Sequence, residues 1–244
     1  MFSSLYRKPD VRIADDEISK YVKVRYSQRA RKMSLKLDPH SATVILTIPN
    51  KGNPIRAIEF VQAHKSWILD KVSALPEPVA FTEGATVPLL GCEHTIKIIK
   101  HNKKRTIIDL EDGVVLVQTN LNDPASRIKR WLKEYAREQL SVLAYEKTKI
   151  LGSGHDIQSV SIRDTKSRWG SCSDDGKLSF SWRLIFAPIS AFDYVVAHEV
   201  AHLVHMNHSK KFWSLCESLS SNYSEGRDWM DKHGNSLMRF GQSN

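Results

Sequence analysis

Cysteine is scarce in this chain of 244 residues: Cys92, Cys172 and Cys216 are an odd number and form no CxxC pair. That argues against a disulfide framework and a cysteine-rich zinc ribbon, and makes a reducing cytoplasm the expected compartment. Long apolar runs are missing too. The longest uncharged apolar stretch, residues 184–192, is far short of the roughly 20 residues a spanning helix needs, so no membrane partner is expected. Residues 1–17 hold no apolar core behind their basic residues, so a secretory signal is not expected. With only 11 Gly and 9 Pro, collagen-like and low-complexity readings fail.

What is present is the composition of an ordinary globular protein, 41% hydrophobic and 26% charged, with a formal charge of +9. A basic chain raises the question of nucleic acid. Residues 1–124 carry 19 Lys+Arg against 14 Asp+Glu, and the remainder 17 against 13, so no tail or helix concentrates the excess. The densest clusters, Arg29-Ala-Arg-Lys32 and Lys103-Lys-Arg105, are only a few residues long and read equally as solvated turns or as a phosphate-binding patch. The expectation is weak, non-specific nucleic-acid association at most.

The apolar spacing sorts the chain into parts. Residues 20–48 read as strands, with period-two spacing at Met33, Leu35, Leu37 and at Val44, Leu46, Ile48. Asn53-Pro54 opens a helix that the spacing carries to Pro76. Residues 86–118 return to β, with Asp112-Gly113 as a hairpin turn. Asp123-Pro124 opens a second long helix running towards Gly152. Short strands are expected at 160–162, 167–172 and 178–185, followed by helices from Pro188, from Ser209 and around Trp229. The expected class is α+β. The expected division is an N-terminal extension over 1–19, a β-rich subdomain with one helix over 20–122, and a catalytic domain over 123–240.

The chemistry concentrates in His198-Glu-Val-Ala-His202, an H-E-x-x-H run inside an expected helix. Positions i and i+4 share one helix face, so both imidazoles reach one metal ion, while Glu199 stands one step round, placed to work on a water. Such a pattern arises by chance in roughly one chain of this composition in fifty, and two further histidines close by strengthen it. Catalytic zinc takes three protein ligands and keeps one position open. His205 and His208 compete for the third place, with Glu217 a further candidate. His208 is favoured because the break at Met206-Asn207 lets the chain turn back and Ser209 can cap the next helix. Arg168, Tyr194, Tyr223 and His233 are possible oxyanion donors. Trp169, Trp182 and Trp213 read as core rather than a base-stacking platform, and Cys172 as a structural thiol.

The stretches Lys166-Ser-Arg-Trp-Gly-Ser-Cys-Ser173, Ser181-Trp-Arg-Leu-Ile185, Asp193-Tyr-Val-Val196, His198–His202 and His205-Met-Asn-His-Ser209 with Phe212-Trp213 resemble the YgjP-like metallopeptidase family, a relative of the SprT-like and WLM zinc proteases. The spacing also equals that of the metzincins, but His205 stands where their glycine belongs. The resemblance implies a zincin-like domain, a small sheet packed on the H-E-x-x-H helix, preceded by the β-rich subdomain. It further implies one Zn2+ per chain on His198, His202 and His208, Glu199 as general base, and a peptide or protein as substrate. The alternative of another class is a nucleic-acid-associated module with a structural zinc.

Overall fold

The computed structural model describes residues 11–39, 41–102, 104–152 and 154–241. Of the extension expected over 1–19, residues 1–10 lie outside the described residues. The chain separates into two compact units, Met1–Glu77 and Pro78–Asn244.

The first unit starts with a single helical turn, α1 (Asp16–Ser19), and three strands, β1 (Val22–Ser27), β2 (Ser34–Asp38) and β3 (Thr43–Pro49). They form a sheet in the order β1-β3-β2, with β1 parallel and β2 antiparallel to β3. Val44, Leu46 and Ile48 are buried against Ala57, Val61 and Ile68 of α2 (Pro54–Ala63) and α3 (Lys65–Ser73). Asn53 caps α2 as expected, its side chain accepting from the Ile55 amide at 2.8 Å. The single helix expected from Asn53 to Pro76 is, however, two. The ring Nδ1 of His64 sits 2.7 Å from the Phe60 carbonyl, the acceptor that its own amide would use in a continuing helix, and that amide turns to Val61 instead.

The second unit opens with β4 (Thr86–Leu89), β5 (Cys92–Lys100), β6 (Ile107–Glu111) and β7 (Val114–Thr119), ordered β4-β5-β7-β6. Asp112-Gly113 makes the two-residue turn between β6 and β7, with Gly113 at φ +69°. The long helix α4 (Ala125–Leu151) follows, its first amide capped by Asp123. It buries Ile128, Leu132, Ala136, Leu140 and Ala144, a four-residue spacing that makes one apolar stripe.

Next come β8 (Ser159–Arg163), β9 (Gly170–Cys172) and β10 (Lys177–Ser181), in the order β8-β10-β9. The strand expected over 178–185 stops at Ser181, and Trp182–Phe186 form a 3-10 turn. All five of its residues are buried, whereas β8 and β10 keep one face of polar and charged side chains. A continuous apolar run does not tell strand from turn or helix by period, and burial on every side decided it.

Arg183 within that turn is 0% exposed and ion-paired to Asp164, with its Nε donating to the Phe240 carbonyl at 3.1 Å. Burial alone would raise the Asp164 carboxyl, but the hydrogen bond and charge of Arg183, then Lys133, hold it well below the usual carboxylate range. A depressed native value means stability present above the unfolded value of about 3.9 and lost as pH falls below it. Asp164→Asn is therefore expected to be less stable than wild type at pH 7, and the gap should close as pH drops through about 4 towards 2. Urea unfolding over that range tests this, and a gap independent of pH would contradict it.

Three helices complete the unit: α5 (Ile189–Ala201), α6 (Lys210–Leu219) and α7 (Tyr223–His233). Helix α5 is buried on most sides, through Phe192, Val195, Val196, Ala197, Val200 and Ala201. Lys147 of α4, itself buried, pairs with Asp193 of α5 and donates to the Leu219 carbonyl at the end of α6, where a cation suits the helix dipole. Gly226 lets α7 cross α5 closely, since a Cβ there would lie 2.7 Å from Tyr194 Cβ. The architecture is α+β, with a small sheet packed on the H-E-x-x-H helix. No helix among the described residues is long and apolar enough to cross a membrane.

Candidate metal centre

His198 and Glu199 lie in the last turns of α5, and His202 is its C-terminal cap, still in the right-handed helical conformation at φ −68°. The two imidazoles therefore share one face, with ring centroids 5.0 Å apart. Beyond His202 the chain tightens, Leu203 donating to Val200 and His205 to Ala201. It turns through Met206 and Asn207 and returns His208 to the helix. Ser209 caps α6 by accepting from the Phe212 amide at 3.4 Å, so His208 stands one residue before a capped helix.

The return brings His208 against both helical histidines. Its Nε2 is 3.1 Å from His198 Nε2, and its ring centroid is 4.8 Å from that of His202. One ligand atom from each of the three falls within 4.8 Å of the others. Zinc–nitrogen bonds of about 2.0–2.1 Å in tetrahedral geometry put ligand nitrogens about 3.4 Å apart, so the spacing suits one shared ion. Phe212, fully buried, lies against all three rings at 4.5–4.9 Å, and Trp213 stacks on His208. The three histidines thus rest on packed aromatic surface rather than on a mobile loop.

The two helical imidazoles are held neutral. Burial, followed by the charges of His202 and His208, lowers His198 to about 4, and burial lowers His202 as well. A neutral imidazole keeps a lone pair for a metal. Nδ1 of His202 lies 3.0 Å from the His205 carbonyl, an acceptor to which a protonated Nδ1 donates, and this leaves the Nε2 lone pair free. His205 therefore serves the site through its backbone, and its ring is not in the donor group. Glu217 is exposed on α6 and also outside it.

Glu199 is 6% exposed, and burial pushes its carboxyl up to about 8 against the opposing charge of Arg168. It shares a cavity of about 350 Å³ with His198, Trp169, Gly170, Tyr194 and Asp231. Strand β9 closes over this carboxylate so tightly that a Cβ on Gly170 would lie 2.5 Å from Glu199 Cγ and 2.7 Å from its Cδ. Sequence reasoning misses Gly170, although a glycine inside a strand pattern signals such a close approach. Among the four suggested oxyanion donors, Tyr194 lines this cavity, and burial raises its hydroxyl to about 12, which keeps it a donor. Tyr223 accepts from Arg227, Arg168 lines a separate groove and His233 packs on Trp229. Burial raises the Cys172 thiol to about 11, which removes it as a nucleophile at neutral pH.

The model of the YgjP-like metallopeptidase domain matches residues 31–233. Among solved structures, that of the metallopeptidase zymogen of Pyrococcus abyssi abylysin is 24% identical, with a TM-score of 0.34, covering 39% of this chain and 95% of that one. No curated protein matches.

Proposed function

This chain belongs to the YgjP-like metallopeptidase family, and from that premise we propose that it is a zinc-dependent peptidase whose catalytic apparatus lies within residues 123–240. His198, His202 and His208 would hold the ion, and Glu199 would act as general base. The observation that carries this is the convergence of three imidazoles beside one buried carboxylate. A closed structural zinc site takes four protein ligands, whereas three leave a position for water, which favours catalysis over the module with structural zinc.

When bound, zinc supplies Lewis acidity that polarises a carbonyl and acidifies a water. A dication on the imidazoles also favours the ionised form of Glu199 beside them. Glu199, in its carboxylate form, accepts the proton of the attacking water and passes it to the nitrogen of the leaving amine. Tyr194 Oη donates from the wall of the same cavity towards the charge that develops on the carbonyl oxygen. Gly170 lets β9 lie against the carboxylate, excluding solvent from one side of Glu199. The three free cysteines accord with a reducing compartment, which we take to be the cytoplasm.

Incubating the zinc-loaded chain with an unfolded polypeptide and identifying the products by mass spectrometry tests the reading. Internal cleavage that a chelator stops and zinc restores is expected; no cleavage of any unfolded chain would count against it. Gly170→Ala gives a finer test. The added methyl must displace the Glu199 carboxylate, and a shift of about 1 Å at a reacting group costs on the order of 100-fold in rate. Zinc binding should persist, because no ligand moves.

A further inference from the structure

The compact units divide the charge differently from the sequence halves. Residues 1–77 carry 14 Lys+Arg against 8 Asp+Glu, a net of +6, while the remaining 167 residues carry 22 against 19. Within the first unit the excess narrows further. From Ile18 to Leu37 there are seven cations, Lys20, Lys23, Arg25, Arg29, Arg31, Lys32 and Lys36, and no acid. All seven are exposed, and none is held in an ion pair among the described residues.

The strand order gathers them. Because β1 and β2 both pair with β3, Lys23 and Lys36 stand in one row on either side of Ile45, and Arg25 and Ser34 in the next on either side of Thr47. The opposite face of the same strands, with Val22, Val24, Leu35 and Leu37, packs on the core of the unit. Edge strands two spacings apart put Lys23 and Lys36 about 10 Å from each other. Thr43 and Thr47 between them are buried, and Arg25 donates to Thr47 Oγ1 at 3.2 Å. At one end of the sheet the β1–β2 connection adds Arg29, Arg31 and Lys32.

Cations gathered with a single acid among the three strands, Asp38 at the end of β2, repel one another, a cost the fold does not need for its core. We infer that the outward face of the β1-β3-β2 sheet is a docking surface for double-stranded nucleic acid, held through its phosphates. Two features select this partner. Single strands are bound by stacking bases on exposed aromatic rings, but Tyr21, Tyr26, Phe60 and Trp67 all pack against the core. An anionic lipid surface is held by cations together with inserted apolar side chains, and between residues 18 and 50 no large apolar side chain is exposed. Around the half-buried Ile45, what this face exposes is charge and hydroxyl, the chemistry of sequence-independent backbone binding. The inference does not rest on the peptidase reading.

Fluorescence anisotropy of the full chain with a labelled DNA duplex of about 25 base pairs, across a salt series, tests it. Wild type should bind with a steep salt dependence. The triple variant Lys23→Gln, Arg25→Gln, Lys36→Gln should bind at least about tenfold more weakly at 100 mM salt, with a log–log slope shallower by about 2.7, or 0.9 for each phosphate no longer neutralised. The double variant Lys23→Gln, Lys36→Gln keeps the Arg25–Thr47 bond, guards against a folding defect, and should show about two-thirds of that slope change. A control of equal charge change on α4, Arg127→Gln, Arg130→Gln, Lys149→Gln, should leave binding within twofold. Equal weakening in the control and the sheet variant would overturn the inference. So would tighter binding of a single strand of equal length, or preferential binding to phosphatidylserine vesicles.

Discussion

Glu199→Gln is expected to abolish peptide hydrolysis while leaving zinc fully bound. The amide has the shape of the carboxyl, so the cavity walls of Gly170 and Tyr194 keep their places. What it loses is the capacity to take a proton from water, and removing a positioned general base costs about 10²–10⁴-fold in rate. The three imidazoles make no hydrogen bond to Glu199, so the ligand set loses no support. Hydrolysis rates with zinc content measured on the same sample decide the outcome. Activity within a few-fold of wild type would remove Glu199 from the mechanism, and loss of zinc would make it a structural residue instead.

His208→Ala is expected to lose stable zinc binding, and His205→Ala is expected to keep it. The two substitutions sit three residues apart, yet they take away different things. Without the His208 ring only the two helical imidazoles remain, and the loss should exceed the 10–100-fold typical of an outer-shell partner. His205 contributes its backbone carbonyl, which holds His202 Nδ1 at 3.0 Å and survives truncation of its side chain. Zinc affinity of His205→Ala should therefore stay within about tenfold of wild type, below the cost of losing an outer-shell partner outright. Zinc titration with a competing chelator separates the two variants. The reverse pattern would mean that the chain after His202 supplies His205 as the third ligand.

Where the sequence was legible, the information was local. Asn53-Pro54, Asp112-Gly113 and Ser209 each specify a cap or turn through the chemistry of one or two residues, and each is found there. The H-E-x-x-H run was legible because helical period alone puts His198 and His202 on one face. Features set by tertiary packing were not. The run from Trp182 leaves the sheet because all its sides are buried, which no period reveals. His64 divides a helix through a ring nitrogen that competes for a carbonyl. The charge looks evenly spread when residues 1–124 are counted together, because that span cuts across the two compact units, and the boundary at Glu77 is a matter of packing, not of composition. Gly170 carries no sign of its neighbour, since Glu199 lies 29 positions away in sequence and touches it only in the folded chain.

Native mass spectrometry of the purified full chain, equilibrated with zinc at neutral pH, tests the central claim most directly. Three imidazoles converge from α5 and the turn before α6 into one donor group, so the expected mass is that of the chain plus one zinc ion. A chain that stays metal-free under these conditions would contradict the account.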